Sequence, residues 1–566
     1  MLEFLKKGKS SAIHYLLISF SIGGIVTLIV LGGVSRLNPK RFDWIFGDNI
    51  TAYLAQLFFL SDQWRFPLTA NPNYGSVHST PLTYTGPNLP LTILQKLLRI
   101  NPELQFFGIW ILITITLQVW FALILAREIK KSWFLACLFS LLTLTPFFLF
   151  RFQLHFWLTS HFLILWSILV LVRYLKYNRL QTLSTLFLVN LGMLLSPYIL
   201  VMTLGIVVVL IINSFVEKTH SFKEVSRHTA ILTTSLVINK TIFDGIGTQD
   251  NAYESIKMNF SGPDYGKFPF NLVSFLNPEV GLKKYYLGEV NEFFLTTNFS
   301  STGVSLGSSP GSYEGFLYLG LGVILLGIVA LLNPKKASIS AVVPLNKINR
   351  KLSIISIILV VAFSATYNIG LGNYVVSLPF PYLGKWGFSA FRSSGRFMWV
   401  IAYLAITLLF IFITSAFSRK NAARLLLIAA ILQILDLSKP LHARYMSLNT
   451  EKPPVLNFET EGLEFFQLIG RTKERIVSYP PGHGTPEWDK LNYWAWKSGM
   501  TTNSNQSGRI NYDLIKRETK LIHKRICVGR FRDKEVYVVH KDFLSKFSDC
   551  QLTKFIEVES LVVFNS

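Results

Sequence analysis

Two carboxylates stand five residues apart in an aromatic stretch, Arg41-Phe42-Asp43-Trp44-Ile45-Phe46-Gly47-Asp48. Apolar surroundings raise the pKa of a carboxylate towards the range in which it can take a proton from a substrate. Asp is also a preferred helix cap, and Asp48 precedes a helical pattern of apolar residues. We therefore consider Asp48 a candidate general base or metal ligand, with a helix cap as the structural alternative and Asp43 as a second candidate.

Two arginines, Arg392 and Arg396, are four residues apart in Phe391-Arg392-Ser393-Ser394-Gly395-Arg396-Phe397. Residues at this spacing share one face of a helix. Two guanidinium groups together can hold a phosphate through forked, charge-assisted hydrogen bonds. The alternative is that they reach lipid headgroups, as arginines at the ends of membrane helices do.

Glu314 begins another apolar run, in Ser312-Tyr313-Glu314-Gly315-Phe316. A carboxylate in the first turn of a helix is stabilised by the helix dipole, which is a sufficient structural explanation. The glycines at 315, 320 and 322 indicate close packing around it, however, so Glu314 is also a candidate for substrate binding.

Three further ionisable residues, Arg151, His155 and His161, surround a predicted short turn between apolar runs. Ionisable groups at membrane depth are functional candidates by default. We therefore include them among the substrate-binding candidates, although a single histidine pair at this spacing is a weak metal motif.

The elements that must position these residues are membrane helices. Hydrophobic residues make up 51% of the 566 and charged residues only 15%, whereas soluble domains carry about 25% charge. A bilayer core of about 30 Å needs about 20 apolar residues per helix. Eleven runs approach this requirement: Ser11–Val34, Phe106–Ala126, Trp133–Phe150, Phe156–Val172, Leu183–Leu195, Ile199–Phe215, Thr229–Ile246, Tyr313–Leu332, Leu352–Ile369, Met398–Phe417 and Leu425–Leu437.

The placement of Lys and Arg predicts the orientation of these helices. With the N-terminus inside, the inner segments contain 20 basic and four acidic residues, or +16 of the formal net charge of +23. Basic residues accumulate in short cytoplasmic loops, so the excess charge indicates topology. Nucleic acid is therefore not an expected partner.

This topology predicts an all-α polytopic domain over residues 1–437, with two long external loops at 35–105 and 247–312. Residues 438–566 contain no spanning run and are expected to form an extracytoplasmic α+β domain. The alternating runs Glu535–Val539 and Phe555–Val558 are typical of strands. Cys527 and Cys550 both lie in this domain, where the oxidising environment permits a disulfide.

The inner loops are short, and the longest spans about residues 333–351. The chain contains no Walker, Rossmann or HExxH motif. A soluble nucleotide or nucleotide sugar would have no cytoplasmic domain to enclose it. Any chemistry is therefore expected outside, on a substrate delivered through the membrane.

Several segments resemble a known bacterial family of polytopic membrane proteins. They are Phe46–Asn49, Gln63–Pro67, Asn71–Gly75, Glu314–Gly320 and Phe391–Phe397. This family is usually grouped with the GT-C-like glycosyltransferases. The resemblance extends over most of the chain and is more specific for the family than for an activity.

The resemblance implies a GT-C-like fold in the bacterial inner membrane and a polyprenyl-phosphate-linked sugar as donor. The acceptor would be an extracytoplasmic glycan, lipid or protein, and membrane lipids would be partners. In such enzymes a carboxylate of the first external loop is the base, or a metal ligand in some branches, and Asp48 has the matching position. Many GT-C proteins have further acids in that loop, whereas no Asp or Glu occurs between Asp62 and Glu103 here, so dependence on a divalent metal is left open.

Two other functions use the same features. A transporter or flippase of lipid-linked glycans would bind the headgroup phosphate through the same arginines without breaking a bond. A non-catalytic envelope assembly factor would use its external domain to bind a partner. No internal repeat of the kind found in many transporters is evident in the sequence.

Overall fold

The structure is a computed structural model of the chain. It describes residues 9–45, 47–75, 81–85, 88–244, 265–278, 312–334, 343–344, 347–379, 391–449, 458–506, 512–550, 552 and 555–564. Most of the predicted external loop 247–312 lies outside these residues.

The described chain is mostly helical, because in a bilayer an apolar segment must satisfy its own backbone polar groups. In chain order the helices are α1 (Lys9–Leu31), α2 (Asp48–Ser61), α3 (Leu89–Leu97), α4 (Phe107–Ile129), α5 (Trp133–Leu142), α6 (Pro146–Leu149), α7 (Arg151–Leu154), α8 (Phe162–Tyr177), α9 (Thr182–Leu195), α10 (Pro197–Val216), α11 (Phe222–Asp244), α12 (Leu321–Leu332), α13 (Arg350–Ala365), α14 (Met398–Ala416), α15 (Arg419–Asn449), α16 (Glu461–Ile469), α17 (Trp488–Lys497) and α18 (Tyr512–Val528). The strands are β1 (Asn368–Leu371), β2 (Tyr374–Ser377), β3 (Arg475–Tyr479), β4 (Thr501–Thr502), β5 (Glu535–His540), β6 (Phe555–Val558) and β7 (Leu561–Phe564).

Within the described residues, six helical segments are long and apolar enough to cross a membrane. They are Ala12–Leu31, Phe107–Ile129, Phe156–Tyr177, Pro197–Val216, Ser394–Ala416 and Arg419–Met446. The chain is therefore a multi-pass membrane protein, but the predicted count of eleven spans is not confirmed.

Several predicted spans are shorter helices in the structure, and local breakers explain two of them. Helix α5 ends at Leu142, before Pro146 begins α6, so the predicted run to Phe150 is divided. Helix α12 begins only at Leu321 because Gly320 adopts a positive φ of 87°. Proline removes a backbone donor, and a glycine in this conformation interrupts helical geometry.

The chain divides into two compact units. The first contains residues 1–38, 107–237 and 260–452, and the second contains residues 39–106, 238–259 and 453–566. The first external loop and the C-terminal region thus belong to the same unit. Helix α15 continues to Asn449, so the predicted domain boundary after residue 437 falls inside a helix.

The C-terminal part of the second unit is an α+β fold, as expected. Its five-stranded sheet has the order β4-β3-β5-β7-β6, in which β3 pairs parallel with β4 and β5 while β7 pairs antiparallel with β5 and β6. Strands β5 and β6 confirm the two predicted strands, and every residue of β5 is buried.

A segment of the first loop extends this sheet. Tyr74 forms a parallel bridge with Thr502 of β4, and its hydroxyl donates to the carbonyl of Gln506 at 3.1 Å. Asn71 holds the same segment by donating to the carbonyl of Ala55 in α2 at 2.9 Å. The stretch Asn71–Gly75 is therefore an integral part of the second unit.

A disulfide joins Cys527 at the end of α18 to Cys550, with the two Cα atoms 4.8 Å apart. Both cysteines pack against a core formed by residues of β3, β5, β7 and α18. The bond thus links α18 to the segment that precedes β6.

Candidate functional site

Three buried charged side chains meet in the first unit. Arg151 comes from α7, Glu314 from the short 3-10 turn Ser312–Gly315, and Arg396 from the 3-10 turn Ser394–Phe397. Oε2 of Glu314 accepts from Nη1 of Arg151 at 3.0 Å and from Nε of Arg396 at 3.0 Å, and it lies 2.6 Å from Nη2 of Arg396. We call Arg151, Glu314 and Arg396 the arginine–glutamate cluster.

Glycines allow the backbones that carry this cluster to come together. A Cβ added to Gly395 would lie 2.8 Å from the Cα of Gly315, and one added to Gly315 would lie 2.9 Å from the carbonyl oxygen of Pro269. Such distances are too short for a side chain. The close packing expected around Glu314 therefore holds, and it accounts for glycine at both positions.

The charge of Glu314 is maintained by the arginines. Burial by itself would raise the pKa of the carboxyl, but electrostatic interactions with Arg396, His155 and Arg151 outweigh that effect and lower the pKa below the ordinary value of 4.5. Two guanidinium groups share this one carboxylate, so the cluster has an excess of positive charge.

Aromatic rings cover the guanidinium groups. The guanidinium carbon of Arg396 lies 4.7 Å from the ring centre of Tyr198, and that of Arg151 lies 4.9 Å from the ring of Trp399. Cation–π contacts of this kind are strengthened where water is excluded. The side chain of Arg396 is 7% exposed, whereas that of Arg151 is fully buried.

The expected common helical face of Arg392 and Arg396 is not present. The 3-10 turn begins at Ser394, so Arg392 precedes it, is only partly buried and places its guanidinium carbon 6.0 Å from the ring of Phe268. The prediction from their spacing of four residues assumed a single helix that contains both arginines. Their joint binding of a phosphate stays a prediction.

The position of Glu314 does not fit the simplest structural explanation, which is a carboxylate in the first turn of an apolar helix. It lies in a separate turn before α12 and not in the first turn of that helix, because residues 316–320 are not helical. Its ion pairs with Arg151 and Arg396, and not the dipole of α12, therefore account for its burial.

The two histidines have different surroundings. His155 is buried and lies close enough to Glu314 to affect its charge. His161 is fully buried, with Nδ1 3.1 Å from the hydroxyl of Tyr403. That hydroxyl accepts from Nε2 of Gln118 at 3.0 Å. His155 thus interacts electrostatically with the carboxylate of the cluster and His161 contacts the hydroxyl of Tyr403, and substrate binding by either histidine stays a prediction.

The carboxylates of the first loop belong to the second unit. Asp48 is the first residue of α2, after Gly47 at the N-cap, and its Oδ1 accepts from Nε2 of Gln506 at 3.2 Å. Asp43 forms a two-point ion pair with Arg41, with distances of 3.1 and 2.6 Å. Asp48 thus contacts the side-chain amide of Gln506 and Asp43 pairs with Arg41, and a catalytic role for either carboxylate stays a prediction.

Two polar residues with contacts to distant parts of the chain, Gln506 and Asp436, were not predicted from the sequence. Gln506 is far from Asp48 along the chain, and nothing in its neighbourhood indicates the contact. Asp436 was also missed; its Oδ2 accepts from the hydroxyl of Tyr318 at 2.8 Å and from the backbone of Leu321 at 3.1 Å. A single acid in an apolar run was the available signal, because such residues rarely occur there without a partner.

Among the described residues, one set of three potential metal ligands lies close together: His523, Cys527 and Cys550. The two cysteines form the disulfide, so their sulfurs are not available as thiolate ligands in this state. Neither Asp48 nor the histidines at 155 and 161 belong to such a set, and metal dependence stays an open prediction.

The helices and the buried cluster define a multi-pass membrane protein with a C-terminal α+β domain. The family "Domain of unknown function (DUF6311)" matches residues 21–438, and "DUF6311 C-terminal domain" matches residues 465–564. The chain therefore belongs to the DUF6311 family, which confirms the expected membership of a polytopic membrane family.

Comparison with solved structures finds the crystal structure of ArnT from Cupriavidus metallidurans in the apo state. The match covers 98% of both chains at 11% identity, with a TM-score of 0.43. No curated protein matches the chain. The function must therefore be argued from the residues of this protein.

Proposed function

We propose that this protein is a membrane glycosyltransferase that moves a sugar from a polyprenyl-phosphate carrier to an extracytoplasmic glycan, lipid or protein. The proposal joins the GT-C-like sequence resemblance to the chemistry of the arginine–glutamate cluster. Its N-terminus would be cytoplasmic and its C-terminal domain extracytoplasmic, as the distribution of Lys and Arg predicts.

The observation that carries the proposal is the excess positive charge of the cluster. A buried charge is costly unless it is paired, and Glu314 supplies one carboxylate for two guanidinium groups. A lipid phosphate would supply the missing negative charge. Arg396 retains a small exposed fraction and Arg392 a larger one, so these two arginines are the proposed phosphate contacts.

The proposed reaction is a single displacement. An acceptor hydroxyl attacks the anomeric carbon of the donor sugar and loses its proton to Asp48. The new bond joins the acceptor oxygen to that carbon, and the bond from the carbon to the phosphate oxygen breaks. The departing lipid phosphate takes the electron pair, and the arginines stabilise its charge. We propose Asp48 as the base because it has the position that the GT-C-like resemblance implies, whereas Asp43 pairs with Arg41.

The test is a transfer assay with the full chain in lipid vesicles that contain a labelled polyprenyl-phosphate sugar. We expect label to move from lipid to an acceptor from the cell envelope, and Arg392→Ala to raise the donor concentration needed. Arg173→Ala is the control, because Arg173 is likewise a partly buried arginine but lies on the predicted cytoplasmic side, where it pairs with Glu128 at 3.2 Å.

Three outcomes would separate the alternatives. Movement of intact labelled lipid to the other leaflet without transfer would indicate a flippase instead. Neither movement nor transfer, with envelope glycans altered on deletion of the protein, would indicate an assembly factor. Equal effects of Arg392→Ala and Arg173→Ala on the required donor concentration would contradict the proposed role of Arg392 in phosphate binding.

A further inference from the structure

A small β-hairpin follows helix α13 in the first unit. Strands β1 and β2 pair antiparallel through a two-residue turn, Gly372-Asn373, in which Gly372 has a φ of 59°. The buried side chain of Asn271 holds this turn: its Nδ2 donates to the carbonyl of Gly372 at 2.8 Å, and its Oδ1 accepts from the amide of Gly372 at 3.0 Å. These two hydrogen bonds thus fix the position of the hairpin turn.

The hairpin exposes apolar side chains on both of its faces. Successive residues of a strand point to opposite faces, so Tyr374 and Val376 lie on one face and Val375 on the other. Their exposed fractions are 78%, 59% and 43%, respectively. An antiparallel pair beside water normally has one polar face. Here both faces of β2 present large apolar groups.

The sequence around the hairpin has no charge. No Asp, Glu, Lys or Arg occurs between Lys351 and Lys385, an interval that includes α13 and both strands. A water-exposed loop of this length would ordinarily contain charged residues. The composition of the hairpin thus continues that of the apolar helix α13 before it.

The length of α13 indicates where the hairpin lies. Its 16 residues span about 24 Å at 1.5 Å per residue, which is less than the hydrocarbon core of about 30 Å. The helix begins at Arg350 and Lys351, a basic end expected at the cytoplasmic surface. It also exposes a continuous apolar surface that includes Ile354, Ile358 and Leu359. If this surface faces lipid, the helix ends before the far side of the bilayer.

We propose that the β1–β2 hairpin is an interfacial membrane anchor, seated in the lipids of the outer leaflet at the boundary between acyl chains and headgroups. It continues the proposed lipid-facing surface of α13 and occupies the part of the outer leaflet that this helix is too short to reach. Open strand edges are not found in the hydrocarbon centre, so the boundary region is the depth that fits. Tyr374 suits this depth because tyrosine is enriched at membrane–water interfaces.

The anchor is connected to the arginine–glutamate cluster by one short segment, residues 268–272. At one end, the amide of Gly395 donates to the carbonyl of Phe268 at 3.2 Å; at the other, the amide of Leu272 donates to the carbonyl of Gly370 in β1 at 2.8 Å. The hairpin would therefore set the depth of Arg396 relative to the lipid headgroups. This inference does not depend on the proposed sugar transfer.

The test measures the depth of spin labels on the full chain in lipid nanodiscs. Single cysteines replace Val375 or Val376 in a Cys137→Ala background, in which the Cys527–Cys550 disulfide stays intact. Both side chains are exposed, so the labels should not disturb packing. Two reference labels are Ile358→Cys on α13 and Lys534→Cys, whose native side chain is 70% exposed in the C-terminal domain.

We expect the labels at 375 and 376 to collide more often with oxygen than with a water-soluble nickel chelate, as the label at 358 should. The label at 534 should show the opposite order, with more collisions with the nickel chelate. Nickel collisions at 375 and 376 equal to those at 534 would overturn the proposal. Protection of either label from both reagents would also overturn it, because a protein surface and not lipid would then cover the hairpin.

Discussion

Arg396 contacts the carboxylate of Glu314 through two guanidinium nitrogens, Nε at 3.0 Å and Nη2 at 2.6 Å, both on the same oxygen. Arg151 donates to that oxygen from a different segment, so the carboxylate joins α7 to the turn that precedes α14. Glu314 is therefore an electrostatic centre of the first unit, and its removal should affect both stability and activity.

Glu314→Gln should destabilise the protein strongly, because it leaves two buried guanidinium groups without their counter-charge. Breaking a buried ion pair by removing one partner costs about 3–5 kcal/mol. Thermal unfolding of the full chain in detergent would measure the effect. Glu461→Gln is the control, since Glu461 is exposed in the first turn of α16, and an equal loss in both variants would contradict the prediction.

The contribution of Glu314 should also depend on pH. Its pKa in the folded protein is lowered, so its stabilisation is complete above the ordinary value of 4.5 and is lost as pH falls towards the lower folded-state value. The difference in Tm between the native protein and Glu314→Gln should therefore be largest near neutrality and shrink at acidic pH. A constant or growing difference between pH 7 and pH 3 would show that the charge is not the cause.

Helices α12 and α15 should not tolerate an additional methyl group at their contact. A Cβ added to Gly322 would lie 2.0 Å from the carbonyl oxygen of Ala429, whereas one added to Gly327 on the same helix meets nothing within 4 Å. We expect Gly322→Ala to cost about 1–3 kcal/mol through overpacking. Gly327→Ala should be neutral or stabilising by up to about 1 kcal/mol. Similar Tm values for the two variants would contradict this packing.

Asp48→Asn should lower the proposed sugar transfer by about 10²–10⁴-fold, the usual loss on removal of a general base. The amide oxygen of Asn can still accept from Gln506, so the fold should be retained, which circular dichroism would verify. Asp43→Asn is the matched control because it removes the charge of the neighbouring carboxylate, which pairs with Arg41, and we expect a much smaller loss. A larger loss in Asp43→Asn would exchange the roles of the two residues.

Reduction of the Cys527–Cys550 disulfide should destabilise the C-terminal domain. The bond closes a loop with a sequence separation of 23 residues, for which the chain-entropy model gives about 3 kcal/mol. Differential scanning fluorimetry with and without reductant would show a lower Tm, and Cys527→Ser with Cys550→Ser would reproduce it. Cys137→Ala provides the control, because Cys137 is a free thiol on α5 and its loss should leave the response to reductant unchanged.

The sequence predicted most elements because their signals are local. Apolar length identified the membrane helices, and alternation identified β5 and β6. Its count of eleven spans is not confirmed, and hydropathy does not register where Pro146 or Gly320 interrupts a run. It selected Arg151, Glu314 and Arg396 one by one, since an ionisable residue in an apolar run is itself informative.

The sequence by itself determined that the protein is a multi-pass membrane protein with an α+β C-terminal domain, since bilayer thickness and side-chain periodicity are read along the chain. Only the tertiary structure decided which charges meet. Glu314 joins arginines from two remote segments, and Tyr74 of the first loop extends a sheet of the C-terminal region. These contacts depend on how distant segments pack, and no local pattern of residues specifies that.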